Sequence, residues 1–239
     1  MDPLQCRTVR TERQPLVGNR LALAGAIIYL LEWVGIIGFN TGNVPAAQGA
    51  KAAEIVAQYT QHGTGVELLA GWLSLVLLGR ILFVAGIRDG LRRSGAEMLA
   101  VDFALVAMAV SVVLEIAAFA VAGGAVQAVA GGADQSTIVG IDAAANWLDL
   151  SILAPFSVSV LVASFAMLRS RLFPAWLCWL GLAAGVVGCV YGVIAGPAFA
   201  AGGSFYQTFQ LLSAAVLAAW LWMLVTGVVL FRAAGRQPT

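Results

Sequence analysis

Long apolar runs alternate with short polar breaks along this chain. A helix needs about 20 mainly apolar residues to cross a bilayer. Six runs meet that length, at about 21–39, 66–87, 98–122, 147–168, 174–196 and 207–231. The pattern predicts an all-α, polytopic membrane bundle of six transmembrane helices over 21–231. Residues 1–20 and 232–239 are tails. Arg7, Arg10, Arg13, Arg20, Arg88, Arg92, Arg93, Arg169, Arg171, Arg232 and Arg236 all fall on one side of such a bundle. Only Lys51 falls on the other, and Arg80 is inside a span. Cationic residues concentrate on the cytoplasmic side, so both termini are expected there. No small-x-small cleavage site follows the first apolar run, which reads as an uncleaved spanning helix.

Within the spans, polar residues are few and placed. On helix 1, Gly25, Tyr29, Glu32 and Gly35 share a face that should point into the bundle. The outer loop 40–65 holds an Ala-rich segment from Ala46 to Gln61, expected to lie as a short helix over the outer mouth. Thr64 and Glu67, and again Ser94 and Glu97, have the spacing of capping boxes. Folding the next hairpin about Leu91 sets Arg80 opposite Asp102. An arginine in the membrane needs a partner, so an Arg80–Asp102 ion pair is expected, with Glu32 the second choice. The Gly-rich stretch 123–137 reads as a loop, with Asp134 capping the helix after it. Helix 4 then starts as early as Gln135, and Pro155 should kink it, with Ser151 helping to satisfy the freed carbonyl. Asp142, Asn146 and Asp149 lie on one stripe of that helix. Asp142 is expected to be wetted at the membrane surface. Pro174 suits the first turn of helix 5, and Trp176 and Trp179 suit an interfacial belt. Gly181, Gly185, Gly188 and Gly192 make small-xxx-small steps, for close packing within the chain or against a partner or second copy.

Composition narrows the classes. The chain is 61% hydrophobic and 10% charged, against about a quarter charged for an ordinary soluble domain. The net charge of +1 gives no basic patch for nucleic acid. Cys6, Cys178, Cys189 and the single His62 are scattered, so neither a disulfide nor a metal site is expected. No nucleotide motif calls for a cofactor.

Three stretches resemble a large bacterial family of six-helix membrane proteins, common in actinobacteria and described only as a domain of unknown function. They are Ala52-Ala-Glu54-Ile-Val-Ala-Gln-Tyr59, Gly86-Ile-Arg88-Asp-Gly-Leu-Arg92-Arg93, and Arg171-Leu-Phe-Pro174-Ala-Trp176-Leu-Cys-Trp179-Leu-Gly181. The resemblance implies the six-helix architecture and carries no catalytic residues with it.

By depth, Glu32, Glu115, Asn146, Asp149, Tyr191, Gln207 and Gln210 all fall in the outer half, on five helices. Several acids together at that depth suggest a polar-lined cavity. Three readings are open. One is a binder or enzyme for a lipophilic small molecule, with Glu32 or Glu115 as general acid and Asp149 as base or orienting group. Tyr29, Trp33, Trp147 and Tyr191 would shape its pocket, and acid-catalysed cyclisation or isomerisation would suit it. A second is a proton-coupled carrier, although no internal repeat supports it. The third is an accessory subunit whose acids are structural.

Overall fold

A computed structural model describes residues 17–42, 50–93, 98–199, 208, 211, 212 and 214–235. Among these, nine α-helices follow one another: α1 (Val17–Leu30), α2 (Glu32–Gly38), α3 (Ala52–Val76), α4 (Leu78–Arg93), α5 (Leu99–Ala130), α6 (Gln135–Ser151), α7 (Leu153–Ser170), α8 (Ala175–Phe199) and α9 (Ala214–Gly235). Three pairs join end to end, α1 with α2, α3 with α4 and α6 with α7. The result is six helices long and apolar enough to cross a membrane. The protein is an all-α, multi-pass membrane helix bundle.

The bundle closes where small residues let backbones meet. A Cβ on Gly25 would lie 2.5 Å from the Gly79 carbonyl oxygen, and one on Gly86 2.5 Å from the Ala22 nitrogen, so α1 and α4 cross in near contact. The Gly185, Gly188 and Gly192 steps on α8 abut Leu161, Ser157 and Ala154 on α7, and Gly181 abuts Ser164 and Trp222. Within the chain the glycine stripe is thus covered by α7 and by Trp222 of α9.

Several spans outrun the bilayer. Ala52–Arg93, Leu99–Ala130 and Gln135–Ser170 have 42, 32 and 36 residues. At 1.5 Å per residue they measure about 63, 48 and 54 Å, against a hydrocarbon layer of about 30 Å. Arg88, near the end of the first, pairs with Asp102, near the start of the second, so the excess of these two rises from the opposite end. There the upper turns of α3, α5 and α6 form a three-helix extension with its own core of Ile55, Tyr59, Val66, Ala122, Ala125, Ile138 and Ala145. Residues 52–61 of the expected separate helix over 46–61 belong to α3 and, with the expected loop over 123–130, are parts of this extension, while 46–49 lie outside the described residues. The apolar steps on each helix find partners there, so helix continues through Gly123 and Gly124. Thr64 and Glu67 lie mid-helix in α3 rather than at a start, and Gln127 donates to Glu67. Ser94 and Glu97 lie outside the described residues.

Asp142 is 3% exposed, not wetted. The Tyr59 hydroxyl donates to its Oδ1 at 2.8 Å, and Asn146 Nδ2 donates to its Oδ2 at 3.1 Å. The extension shields it from water and supplies the donors. Tyr59→Phe removes one donor from a buried carboxyl and is expected to cost about 1–3 kcal/mol. Faster amide hydrogen exchange across α3 and α6 would register it, and unchanged exchange would count against the bond.

Asp134 caps α6 as expected, accepting from the Thr137 nitrogen at 3.0 Å. The Ser136 hydroxyl, then the Thr137 hydroxyl and amide, hold its carboxyl well below the usual range. A carboxyl depressed in the fold stabilises it fully above the unfolded pKa of about 3.9. That contribution fades as pH falls below this value. Asp134→Ala should therefore speed exchange at the first turn of α6 at neutral pH, and the difference from wild type should shrink in acid.

Candidate functional site

Four charged side chains from separate elements meet inside the bundle. Glu32 opens α2, Arg80 lies in the first turn of α4, Glu115 sits halfway along α5, and Asp149 is in the last turn of α6. They line one cavity of about 240 Å³ together with Tyr29, Trp33, Phe156 and Trp220. Arg80 is 13 residues above Arg93, so the cavity lies about 20 Å from the arginine-rich end.

Breaks in the spans put these groups there. At Leu31 the α1–α2 ladder slips to a three-residue bond, Leu31 N–H to Ile28 at 3.1 Å. Trp72 Nε1 donates to the Leu31 carbonyl at 2.8 Å. The α3–α4 junction does the same, with Arg80 N–H donating to Leu77 at 3.0 Å, and the α6–α7 junction bonds Ile152 N–H to Asp149 at 3.2 Å. Pro155 explains the last break, since it has no N–H for the Ser151 carbonyl four residues back. Ser151 Oγ donates instead to Trp147, at 2.7 Å. Each break lies within three residues of a charged group of the cavity, which an unbroken helix would aim elsewhere.

Arg80 is the centre of the site. It is 4% exposed. Its Nη1 is 2.5 Å from Glu115 Oε2 and its Nη2 3.6 Å from Glu32 Oε2. The guanidinium carbon sits 4.2 Å over the Tyr29 ring and 5.2 Å from that of Phe156. A buried guanidinium needs both counter-charge and packing, and here two carboxyls and two rings provide them. The expected Arg80–Asp102 pair does not form. Asp102 pairs with Arg88 instead. Because α4 runs on to Arg93 and α5 begins at Leu99, the hairpin folds about four residues later than Leu91. Arg88 is therefore level with Asp102, and Arg80 is carried up to Glu115.

Other polar atoms of the cavity are left over. Arg80 Nε, Glu32 Oε2 and Trp220 Nε1 are buried and make no hydrogen bond among the described residues. Trp33 meets Trp220 edge to face at 5.2 Å, and Tyr29 tilts onto Trp220 at 4.5 Å. Asp149 is half-buried, and its carboxyl makes no hydrogen bond or ion pair among the described residues. One guanidinium thus faces three carboxyl groups.

Of the residues expected at a site, Glu32, Glu115, Asp149, Tyr29 and Trp33 come together. Asn146, Trp147 and Tyr191 do not line this cavity. Asn146 serves Asp142, Trp147 is 61% exposed against Gly196, and Tyr191 packs with Ala195 and Ala198. The acidic stripe of α6 has one face but two neighbours, α3 above and the cavity below. Gln207 and Gln210 lie outside the described residues. Arg80, Phe156 and Trp220 are the members that sequence reasoning missed. The hairpin register makes Arg80 a fastener near the cytoplasmic side, and the indole N–H of Trp220 in mid-span is the available signal. Among the described residues no group of three or more His, Cys, Asp or Glu is arranged to hold a metal ion. Compared with known proteins, the chain matches no family model, no curated sequence and no solved structure.

Proposed function

We propose that this membrane protein binds a lipophilic small molecule in the cavity around Arg80, with its arginine-rich end at the cytoplasmic face of a bacterial inner membrane. The observation that carries the reading is the convergence of Glu32, Arg80, Glu115 and Asp149 on one aromatic-walled space. Ionisable groups inside a membrane are costly, and four gathered at a cavity need a reason beyond packing. An apolar pocket with a few convergent polar groups is the usual form of a small-molecule site.

The four groups have different work. Arg80 ties up Glu115 and draws on Glu32, so these orient and balance. Asp149 is the carboxyl not held by the guanidinium and is the one free to move a proton. If the bound molecule is transformed, acid–base chemistry of the cyclisation or isomerisation type is what this donor set supports. A carrier is less well supported. On the arginine side of Arg80 the core is filled by Phe83, Val84, Ile87, Leu91 and Met108, each 0% exposed. A purely accessory role draws on the sealed Arg80–Glu115 pair and leaves the cavity and Asp149 without a purpose.

The test is to purify the protein in mild detergent and identify co-purifying small molecules by mass spectrometry. A defined lipophilic species should be retained by wild type and fall at least about tenfold in Glu32→Gln and Glu115→Gln at equal folded protein. Retention unaffected by either change would sink the reading.

A further inference from the structure

Resting on that reading, we propose that the ligand is a lipophilic organic cation, its charged centre held by Asp149 and flanked by the rings of Trp33 and Trp220. Charge balance comes first. The cavity holds Glu32, Glu115 and Asp149 against the single guanidinium of Arg80. An anionic ligand would enter a space already rich in carboxyls. Arg80 offers it only the unpaired Nε, since Nη1 is held by Glu115 and the guanidinium face is packed against Tyr29 and Phe156.

The second observation is independent of the count. Glu32 is 8% exposed, and its Oε2 accepts no hydrogen bond and stays 3.6 Å from the guanidinium. Its Oε2 is a buried acceptor lining the cavity, paired with the guanidinium only at this longer range. A hard metal ion would require a shell of six or more oxygens. These walls are mainly apolar, with Ile36, Ile152, Leu153 and Val216 among them. A carbon-bearing cation fits such walls, because it is weakly hydrated and accepts apolar neighbours.

The aromatic geometry points the same way. The planes of Trp33 and Trp220 are inclined by 62°, so the rings make a corner rather than a stack. Trp220 already packs against Tyr29 and Trp33, so what these rings offer a cation is an aromatic stretch of the cavity wall. The site already uses this chemistry once, in the seat of Arg80 over Tyr29.

The experiment uses the full chain in lipid nanodiscs and three probes of equal chain length: an alkyltrimethylammonium, the alkanol and the alkyl sulfate. Binding is measured by equilibrium dialysis against empty nanodiscs. The cation should bind at least about tenfold more tightly than the alkanol, and the sulfate most weakly. Asp149→Asn should bring cation and alkanol to within about twofold of each other, chiefly by weakening the cation. Should Asp149→Asn fail to fold, Trp33→Leu at the 42% exposed Trp33 serves instead, lowering the cation several-fold more than the alkanol. An alkanol that binds wild type as well as the cation overturns the proposal and leaves the binding site standing. A cation preference that survives both substitutions overturns the assignment to Asp149 and the Trp corner. Failure of all three probes to bind wild type removes the cavity as a lipophile site altogether.

Discussion

Arg80→Met is expected to lower stability by about 3–5 kcal/mol, because it leaves Glu115 buried without its cation. In a chain of this size that corresponds to a fall in Tm on the order of 10 °C. Glu115 is 6% exposed and Glu32 8%, so neither can turn to water for compensation. The penalty comes mainly from the orphaned carboxyl and not from the worth of the pair. Arg80→Met combined with Glu115→Met should therefore recover more than half of the loss, since replacing both partners by apolar groups is often close to neutral. Arg80→Lys should fall between, because one ammonium cannot span Glu115 at 2.5 Å and Glu32 at 3.6 Å as the guanidinium fork does. Thermal unfolding in a single detergent orders the four proteins. A single Arg80→Met as stable as wild type would show that the buried pair is dispensable.

The second large effect is expected at the α1–α4 crossing. Gly25→Ala sets a methyl 2.5 Å from both the Gly79 oxygen and the Phe83 nitrogen. Those neighbours are backbone, so no rotamer change relieves the clash and the helices must part. Overpacking of this kind costs about 1–3 kcal/mol and often more. The harm should reach the cavity as well, since Tyr29 sits one turn above Gly25 and Arg80 follows Gly79. Gly25→Ala is thus expected to lose both folded yield and retained ligand. Gly71 makes the control, as a Cβ there meets nothing within 4 Å. Gly71→Ala should be neutral or stabilising by up to about 1 kcal/mol, because alanine is the better helix former. If the two alanines behave alike, close approach at Gly25 is not what holds α1 to α4.

The spans and the clustering of arginines at their ends are legible in the hydropathy, because bilayer thickness imposes a length that any sequence must meet. The extension beyond the membrane is not. Its core is made of alanines and single aliphatic residues, and Gly123 and Gly124 look like loop until α3 and α6 are known to flank them. Glu32, Glu115 and Asp149 are legible as a group because each interrupts an apolar run at a similar depth. Arg80 is misplaced by the sequence for one reason: its depth is counted from a turn set four residues too early. An error of one helical turn is about 5.4 Å, enough to exchange one salt-bridge partner for another. Asp142 misleads for a different reason. Its protection comes from Tyr59, 83 positions away in the chain, and no local pattern records so distant a donor.

The three-helix extension makes the protein a mast as well as a bundle. By its length the extension reaches past the hydrocarbon layer and so marks one side. Ser136, exposed in the first turn of α6, is held fast by its neighbours rather than tethered on a flexible loop. A cysteine introduced there reports sidedness to a membrane-impermeant thiol reagent in intact cells. The same extension gives particle images a feature by which a small membrane bundle can be oriented.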